Sequence, residues 1–344
     1  MKKILSMLLV SVLVLAACSS PAPPAPAAPP APAQGGEQAP PPAEPAREYN
    51  WRFGLVNSPT DPNFLAAQRF VDYLDELAPG RWNIELFPSS QLGTADEMLQ
   101  SLQMGALELT APPSSSLANF ASEFGVWDMP YMIRDGAHAD AVLDGPIGQS
   151  FIDYAAAANV RLVGWWEVGF RAIANNVRPI YSPADVAGLR LRVINNEFFI
   201  ALFGELGADP VPMSLSEAYI AIQNGTIDGK DNPPESLINN ATHEVARYIA
   251  ISRHVYTPLP VSMSMNAWNS MPREDQAIFM EAMGRATEWQ RNARREGDVE
   301  AISRLEAYGN VVTWPDQDAF QEQMQPVWDT FPQFADIIER IVAS

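Results

Sequence analysis

Apolar positions alternate at the start of the patterned region. Trp51, Phe53 and Leu55 share one face, which predicts a strand over residues 49–56. After the loop Asn57-Ser58-Pro59-Thr60-Asp61-Pro62 the period changes: Phe64, Ala67, Phe70, Val71 and Leu74 recur at helical spacing and predict a helix over 63–77. Residues 82–87 read as a second strand. Thr94 and Glu97 have the spacing of a capping box, opening a helix to about residue 104. Residues 107–110 form a short strand stopped by Pro112-Pro113. Strand, helix, strand, helix, strand is the order of a parallel sheet with flanking helices. Residues 117–131, with Phe120, Phe124, Val126 and Trp127, form a covering segment.

The pattern then repeats with different partners. Residues 161–166 predict a strand, followed by a turn and a second strand over 169–176. Residues 186–189 lead into Arg190-Leu191-Arg192-Val193, another strand. Helices follow over 198–206 and, behind the capping box Ser214-Leu215-Ser216-Glu217, to about 223. Residues 227–229 form a short strand, and 248–255 and 261–267 two longer ones. A proline-free helical stretch runs from 272 to about 304, long enough to cross both units. Residues 311–314 give a last strand and 317–342 a terminal helix. The chain is therefore expected to be α/β, in two units joined by crossings near residues 170 and 257, with a ligand cleft between them.

The first 47 residues lack this patterning. Lys2 and Lys3 precede an apolar run, and small residues Ala16 and Ala17 precede Cys18, the sole cysteine. Residues 1–17 read as a signal peptide too short to span a bilayer comfortably, and Leu15-Ala16-Ala17-Cys18 resembles the bacterial lipoprotein box. Acyl chains such as palmitate on Cys18 would anchor the protein to a membrane. Residues 18–47 hold the acylated cysteine and a Pro/Ala-rich tether of polyproline II character, reaching about 90 Å at most. Removing residues 1–17 takes away two lysines and no acid, so the net charge falls from −19 to −21. Such a charge excludes nucleic acid as a partner, and it means an anionic ligand needs locally placed cations.

Catalytic signatures are absent from the sequence. There is no G-x-S-x-G elbow, Walker loop or G-x-G-x-x-G, and His243-Glu244 is followed by Val245-Ala246-Arg247, which breaks the H-E-x-x-H zinc motif. His138, His243 and His254 are widely separated, and Lys230 interrupts the calcium-loop pattern Asp228, Lys230, Asn232. No cofactor, no metal and no enzymatic activity are expected. Arg190 and Arg192 alternate with core positions Leu189, Leu191 and Val193, so both point away from that core; alternation alone leaves both on a solvated strand face. Arg171 by itself reads as a turn arginine, and Asn232 before Pro233 as a turn residue.

Four segments, in order, resemble one family. They are Phe87-Pro88-Ser89-Ser90-Gln91-Leu92-Gly93; Gly169-Phe170-Arg171 with Asn176; Asp185-Val186-Ala187-Gly188-Leu189-Arg190-Leu191-Arg192-Val193; and Glu217-Ala218-Tyr219 through Ile227-Asp228-Gly229-Lys230-Asp231-Asn232-Pro233. Over about residues 49 to 320 the chain is similar to the extracytoplasmic solute-binding proteins of TRAP (tripartite ATP-independent periplasmic) transporters. The resemblance implies a periplasmic-binding-protein-like clamp with crossing strands and a long inter-domain helix. Domain I would be 48–169 plus 258–297, and domain II 170–257 plus 298–344, closing like a hinge.

It further implies that Arg192 salt-bridges a ligand carboxylate, with Arg171, Asn232 and Asn195 as further ligand contacts. By residue type Trp165, Trp166, Phe170 and Trp268 read as core as a group, with one or two of them lining the cleft; Trp166, Phe170, Leu215 and Thr94 are the cleft-lining candidates. The ligand would be a small organic acid, handed to a membrane transporter of one small and one large subunit. The sialic-acid-binding branch has acids where this chain has Thr94 and Pro112, and Phe in place of Leu215. These departures favour a smaller carboxylate such as a C4-dicarboxylate. The expected location is periplasmic or extracytoplasmic, lipid-anchored. The alternatives are a binding protein for an ATP-driven importer or sensor, and a surface hydrolase.

Overall fold

The structure, a computed structural model, describes residues 48–344; the signal, tether and Cys18 expectations lie outside the described residues. In chain order the strands are β1 (Tyr49–Gly54), β2 (Trp82–Phe87), β3 (Leu109–Thr110), β4 (Val160–Phe170), β5 (Ala172–Asn175), β6 (Arg190–Val193), β7 (Asp209–Pro212), β8 (Gly229–Asn232), β9 (Tyr248–Ala250), β10 (Tyr256–Ser264) and β11 (Val311–Thr313). They form two sheets, ordered β2-β1-β3-β10-β4 and β11-β9-β5-β8-β6-β7. In the first, β1 runs parallel to β2 and β3, and β10 is antiparallel to β3 and β4. In the second, β6 runs parallel to β7 and β8, while β5 is antiparallel to β8 and β9.

The sequence pattern explains most of this. Phe53 and Phe70, on alternating and helical positions, meet Phe279 and Trp166 in one core of the first sheet. Adjacent residues on a strand face opposite sides, so Trp165 enters the other core with Phe124, Trp127 and Phe151. In the second sheet Leu191 and Val193 pack with Phe199 and Phe203, and the opposite face carries Ala174, Leu237 and Leu305. The long helix, Arg273–Ala307, packs on helix Pro62–Leu77, on β4 and on helix Pro234–Asn239, so it touches elements of both sheets. Among the described residues no helix is long and apolar enough to cross a membrane.

Several expected boundaries moved, for identifiable reasons. The turn expected after residue 166 does not form: β4 continues to Phe170, and the chain changes sheets at Arg171, preceded by Gly169 at φ +105°. A Cβ on Gly169 would lie 2.9 Å from Asp298 Oδ2, so glycine answers both the backbone angle and the close approach. The two strands expected over 248–255 and 261–267 are instead a short β9 and a β10 that runs through Pro258 and Pro260. β3 reaches β10 only at Ser262 and Met263, so these prolines lie where that edge needs no N–H donor. The strand expected at 227–229 lies at Gly229–Asn232, which brings Asn232 into the sheet. The terminal helix is broken at Pro326 and Pro332 into Gln317–Met324, Val327–Thr330 and Ala335–Val342. Helices Gly136–Asp144 and Pro146–Ala157 fill a stretch to which no element was assigned.

Candidate functional site

Parallel strands aim their carboxyl ends the same way, and open α/β sheets bind ligands beyond those ends. Here the ends from both sheets converge. A cavity of about 370 Å³ is lined by Asn57 after β1, Ser90 after β2, Ser116 after β3, Asn195 after β6, Ser214 after β7, and Asn232 at the end of β8. Arg171, Arg192, Thr94 and Leu215 line the same cavity. The structure thus brings together Arg192, Arg171, Asn232, Asn195, Thr94 and Leu215. It does not bring Trp166 or Phe170 there. Trp166 is fully buried with its ring 6.0 Å from Phe53, and Phe170 packs 5.1 Å from Tyr256 and 3.9 Å beneath the Arg253 guanidinium. Both sheets are covered on each face, so these aromatics are taken into packing between layers.

The two arginines differ in their partners. Arg171 sits between β4 and β5, its amide bonded to Val255 O at 2.9 Å. Its buried guanidinium grips Asp231: Nη2 donates to Oδ1 at 2.9 Å and to the Asp231 carbonyl at 2.9 Å, and Nε donates to Oδ2. His254 Nε2 lies 3.3 Å from Asp231 Oδ2, and its Nδ1 lies 2.7 Å from Ser252 Oγ. Burial alone would raise the Asp231 pKa, but the charge and hydrogen bonds of Arg171, with His254, hold it well below the carboxylate range. Burial favours neutral His254, opposed by its bond to Asp231.

Arg192 has no such partner. Leu191 and Val193 are sealed in the core, so Arg192 projects from the other face of β6. It is 5% exposed, its Nε donates to Met213 O at 2.9 Å, and it makes no ion pair among the described residues. Burial lowers its pKa to about 10, with Asp231 and Arg171 acting in opposite directions, so it stays a cation at neutral pH. Arg190, two residues earlier, pairs with Asp228 at the surface. Lys230 is the register partner of Arg192 on β8 and is also buried; burial, then the charges of Arg192 and Arg171, push its pKa well down. Among the described residues, the one cation of the cavity wall with no bonded acid is therefore Arg192.

Hydrogen bonds tie the loops of the two sheets together around the cavity. Asn119 Nδ2 donates to Asn195 O at 3.0 Å, and Asn196 Nδ2 to Ser115 O at 3.0 Å and Asp128 Oδ2 at 2.7 Å. On another side Arg294 of the long helix donates to Asp61 Oδ1 at 2.5 Å, and to Glu235 Oε2 and Ser236 Oγ at 3.2 Å each. Sequence reasoning missed Asn57, Asp61, Asp96, Ser116 and Ser236 as lining residues. Their one common signal is a position just beyond a strand or at a helix start. Among the described residues no group of three or more His, Cys, Asp or Glu is placed to hold a metal.

The comparisons agree with this architecture. Residues 53–333 match the family model described as bacterial extracellular solute-binding protein, family 7. The 2,3-diketo-L-gulonate-binding periplasmic protein YiaO of Escherichia coli is 30% identical over 296 residues, covering 84% of this chain and 90% of that protein. The C4-dicarboxylate-binding periplasmic protein DctP of Rhodobacter capsulatus is 28% identical, covering 81% and 85%. A TRAP periplasmic solute-binding protein from a Polaromonas species, bound to D-erythronate, superposes with a TM-score of 0.84 at 30% identity, covering 86% of this chain and 98% of that one. The sugar acid binding protein of Advenella mimigardefordensis in complex with galactonate gives 0.82 at 28% identity, covering 87% and 97%. The chain belongs to family 7 of the bacterial extracellular solute-binding proteins, the receptors of TRAP transporters, and is a binding protein rather than an enzyme.

Proposed function

We propose that the protein captures a polyhydroxylated monocarboxylate, a sugar acid, between loops of its two sheets and delivers it to the small and large membrane subunits of a TRAP transporter. The observation that carries this reading is Arg192, buried on the cavity wall and bonded to no acid, while Arg171 is neutralised by Asp231. A planar guanidinium meets a carboxylate with two parallel hydrogen bonds, and a charge-assisted bond contributes about 1.5–3 kcal/mol. Arg171, Asn232 and Asn195 are further contacts in this reading, with Thr94 and Leu215 beside them.

The remaining wall favours hydroxyl groups over a second carboxylate. Asn57, Ser90, Ser116 and Ser214 offer neutral donors and acceptors, and the acids Asp61, Asp96 and Glu217 share the cavity. A C4-dicarboxylate would need a second uncommitted cation there, so the preference for such a ligand gives way to a sugar acid. Erythronate and galactonate in the related structures support the same class. Residues 48–169 with 258–297, and 170–257 with 298–344, would be the two bodies that close on it.

Calorimetry with galactonate, glucuronate, erythronate and succinate tests the ligand class. Sugar acids are expected to bind at least about tenfold more tightly than succinate, a difference of 1.4 kcal/mol; tighter succinate binding overturns the reading. A second part of the proposal is a lipid anchor on Cys18, placing the receptor at the outer side of a membrane. Cells fed labelled palmitate should label the wild-type chain and not Cys18→Ala; equal labelling rejects it.

A further inference from the structure

We infer that Asp96 determines specificity at the end of the ligand away from the Arg192-bound carboxylate: its carboxylate accepts hydrogen bonds from ligand hydroxyls and repels a second ligand carboxylate. The inference rests on the sugar-acid reading above and names the residue that would enforce it.

Three acids line the cavity that Arg192 also lines, and two of them are engaged elsewhere. Asp61 caps helix Pro62–Leu77 and pairs with Arg294. Glu217 closes its capping box, accepting from Ser214 N at 3.0 Å and from Ser214 Oγ at 2.5 Å. Asp96 is different: it makes no ion pair among the described residues, and its neighbours are the neutral Ser116 and Asn119 side chains. An ionised carboxylate has about four acceptor sites, so two neutral donors leave capacity for ligand O–H groups. Half-buried and uncompensated, this charge is disfavoured by burial. Bound hydroxyls would relieve that cost, whereas a second anion would add to it.

Asn119 links the acid to the opposite wall. It lies beside Asp96 and donates through Nδ2 to the carbonyl of Asn195, three residues after Arg192, at 3.0 Å. Asp96 stands on the helix that follows β2 of the first sheet and Arg192 on β6 of the second, so the two belong to different walls of the cavity. A purely structural role is the competing account. Asp96 is in the first turn of helix Ala95–Gln103, where an acid interacts favourably with the helix dipole. That role affects stability and not ligand choice.

The test measures galactonate, a monoacid, and galactarate, the diacid of the same chain length, by calorimetry on the full folded chain. Wild type is expected to favour the monoacid by about thirtyfold or more; Asp96→Asn should narrow this to within about threefold, mainly by improved galactarate binding. Asp96→Glu, which keeps the charge, should retain a preference for the monoacid. A thermal melt of each variant reports the helix contribution separately. An unchanged ratio in Asp96→Asn overturns the inference, whatever the melt shows. Wild type binding the two acids equally also overturns it while leaving carboxylate capture intact. Wild type binding neither acid removes the sugar-acid reading and this inference together.

Discussion

Arg171 and Asp231 are bonded twice over: Arg171 Nη2 lies 2.9 Å from Asp231 Oδ1 and 2.9 Å from the Asp231 backbone carbonyl, with both side chains almost wholly out of solvent. The pair explains why two cavity arginines behave differently. Arg171 is a fixed strut between β5 and β8, with its charge already matched. Replacing Asp231 by Asn leaves that guanidinium buried without its counter-charge, and truncating one partner of a buried pair costs about 3–5 kcal/mol. Urea denaturation should show a loss of this size. The pH dependence has a defined sign. Because the Asp231 pKa is depressed in the folded state, its stabilisation is present above the ordinary carboxylate value and is lost as pH falls below it toward the depressed one. Wild type should therefore lose stability below about pH 4, and Asp231→Asn should lose less.

Arg192→Lys keeps a positive charge and removes the fork. Lysine cannot present two parallel donors, and the Nε bond to the Met213 carbonyl is lost as well. Calorimetry with a sugar acid should show affinity weakened about a hundredfold, near 3 kcal/mol. The melting temperature of the unliganded protein should change little, because Arg192 has no acid partner to leave behind. Unchanged affinity would remove Arg192 from the site.

Asp128 predicts a pH effect of the opposite sign. It is fully buried, and burial pushes its pKa to about 7 despite donors from Ser115 and Asn196. Asp298, partly buried, is pushed to about 8 by loss of solvent despite Arg294 and the Glu235 amide. For a carboxyl whose folded pKa is raised, stability is fully present below the unfolded value and is lost as pH rises through the folded one. Stability should fall by on the order of 2 kcal/mol or more between pH 5 and pH 8. Asp128→Asn, neutral at every pH, should flatten that slope in urea titrations at the two pH values. Since Asn196 adjoins Asn195, the same titration should show ligand affinity weakening toward pH 8 in wild type and less so in the variant.

How far the site could be seen beforehand depended on the residue. Alternation correctly sent Leu189, Leu191 and Val193 to the core and the two arginines to the other face, but it left Arg190 and Arg192 equivalent. What separates them is tertiary: Asp228 reaches Arg190 at the surface, whereas Arg192 is closed over by the segment after β7, whose Met213 carbonyl takes its Nε. The Thr94–Glu97 and Ser214–Glu217 capping boxes were legible because both partners are local. Asp96, Asn57 and Ser116 were not, since a loop residue becomes a cavity wall only when strands far apart in sequence converge. Trp166 belongs to the core, as its residue type suggested, and not to the cleft for which it was also a candidate: whether an aromatic faces a cleft or a layer depends on which element covers it, here β1 through Phe53. The strands expected over 248–255 and 261–267 left out Pro258 and Pro260, because the sequence does not reveal that this stretch of β10 pairs with β4 on one edge while β3 does not reach it on the other.

Gly229 carries the last prediction, and it joins the fold to the site. A Cβ there would lie 2.0 Å from the Ala174 carbonyl oxygen and 2.8 Å from the Asn175 Cα, both backbone atoms of the paired strand β5. Backbone held in a ladder cannot swing aside as a side chain does, so Gly229→Ala must push β8 away from β5. The displaced strand carries Asp231 and Asn232, so the Arg171 pair and the Asn232 wall should move with it. Overpacking of this kind costs about 1–3 kcal/mol, and the affinity for a sugar acid should fall as well. Gly225→Ala is the control. Gly225 has φ +70° with nothing near its missing Cβ, so alanine there meets backbone strain only. That variant should lose about 1–2 kcal/mol of stability with ligand affinity unchanged. Calorimetry and urea denaturation on both variants should separate a strand that positions the site from a turn that merely closes a helix; equal affinity in the two would sever the link between the β5–β8 spacing and binding.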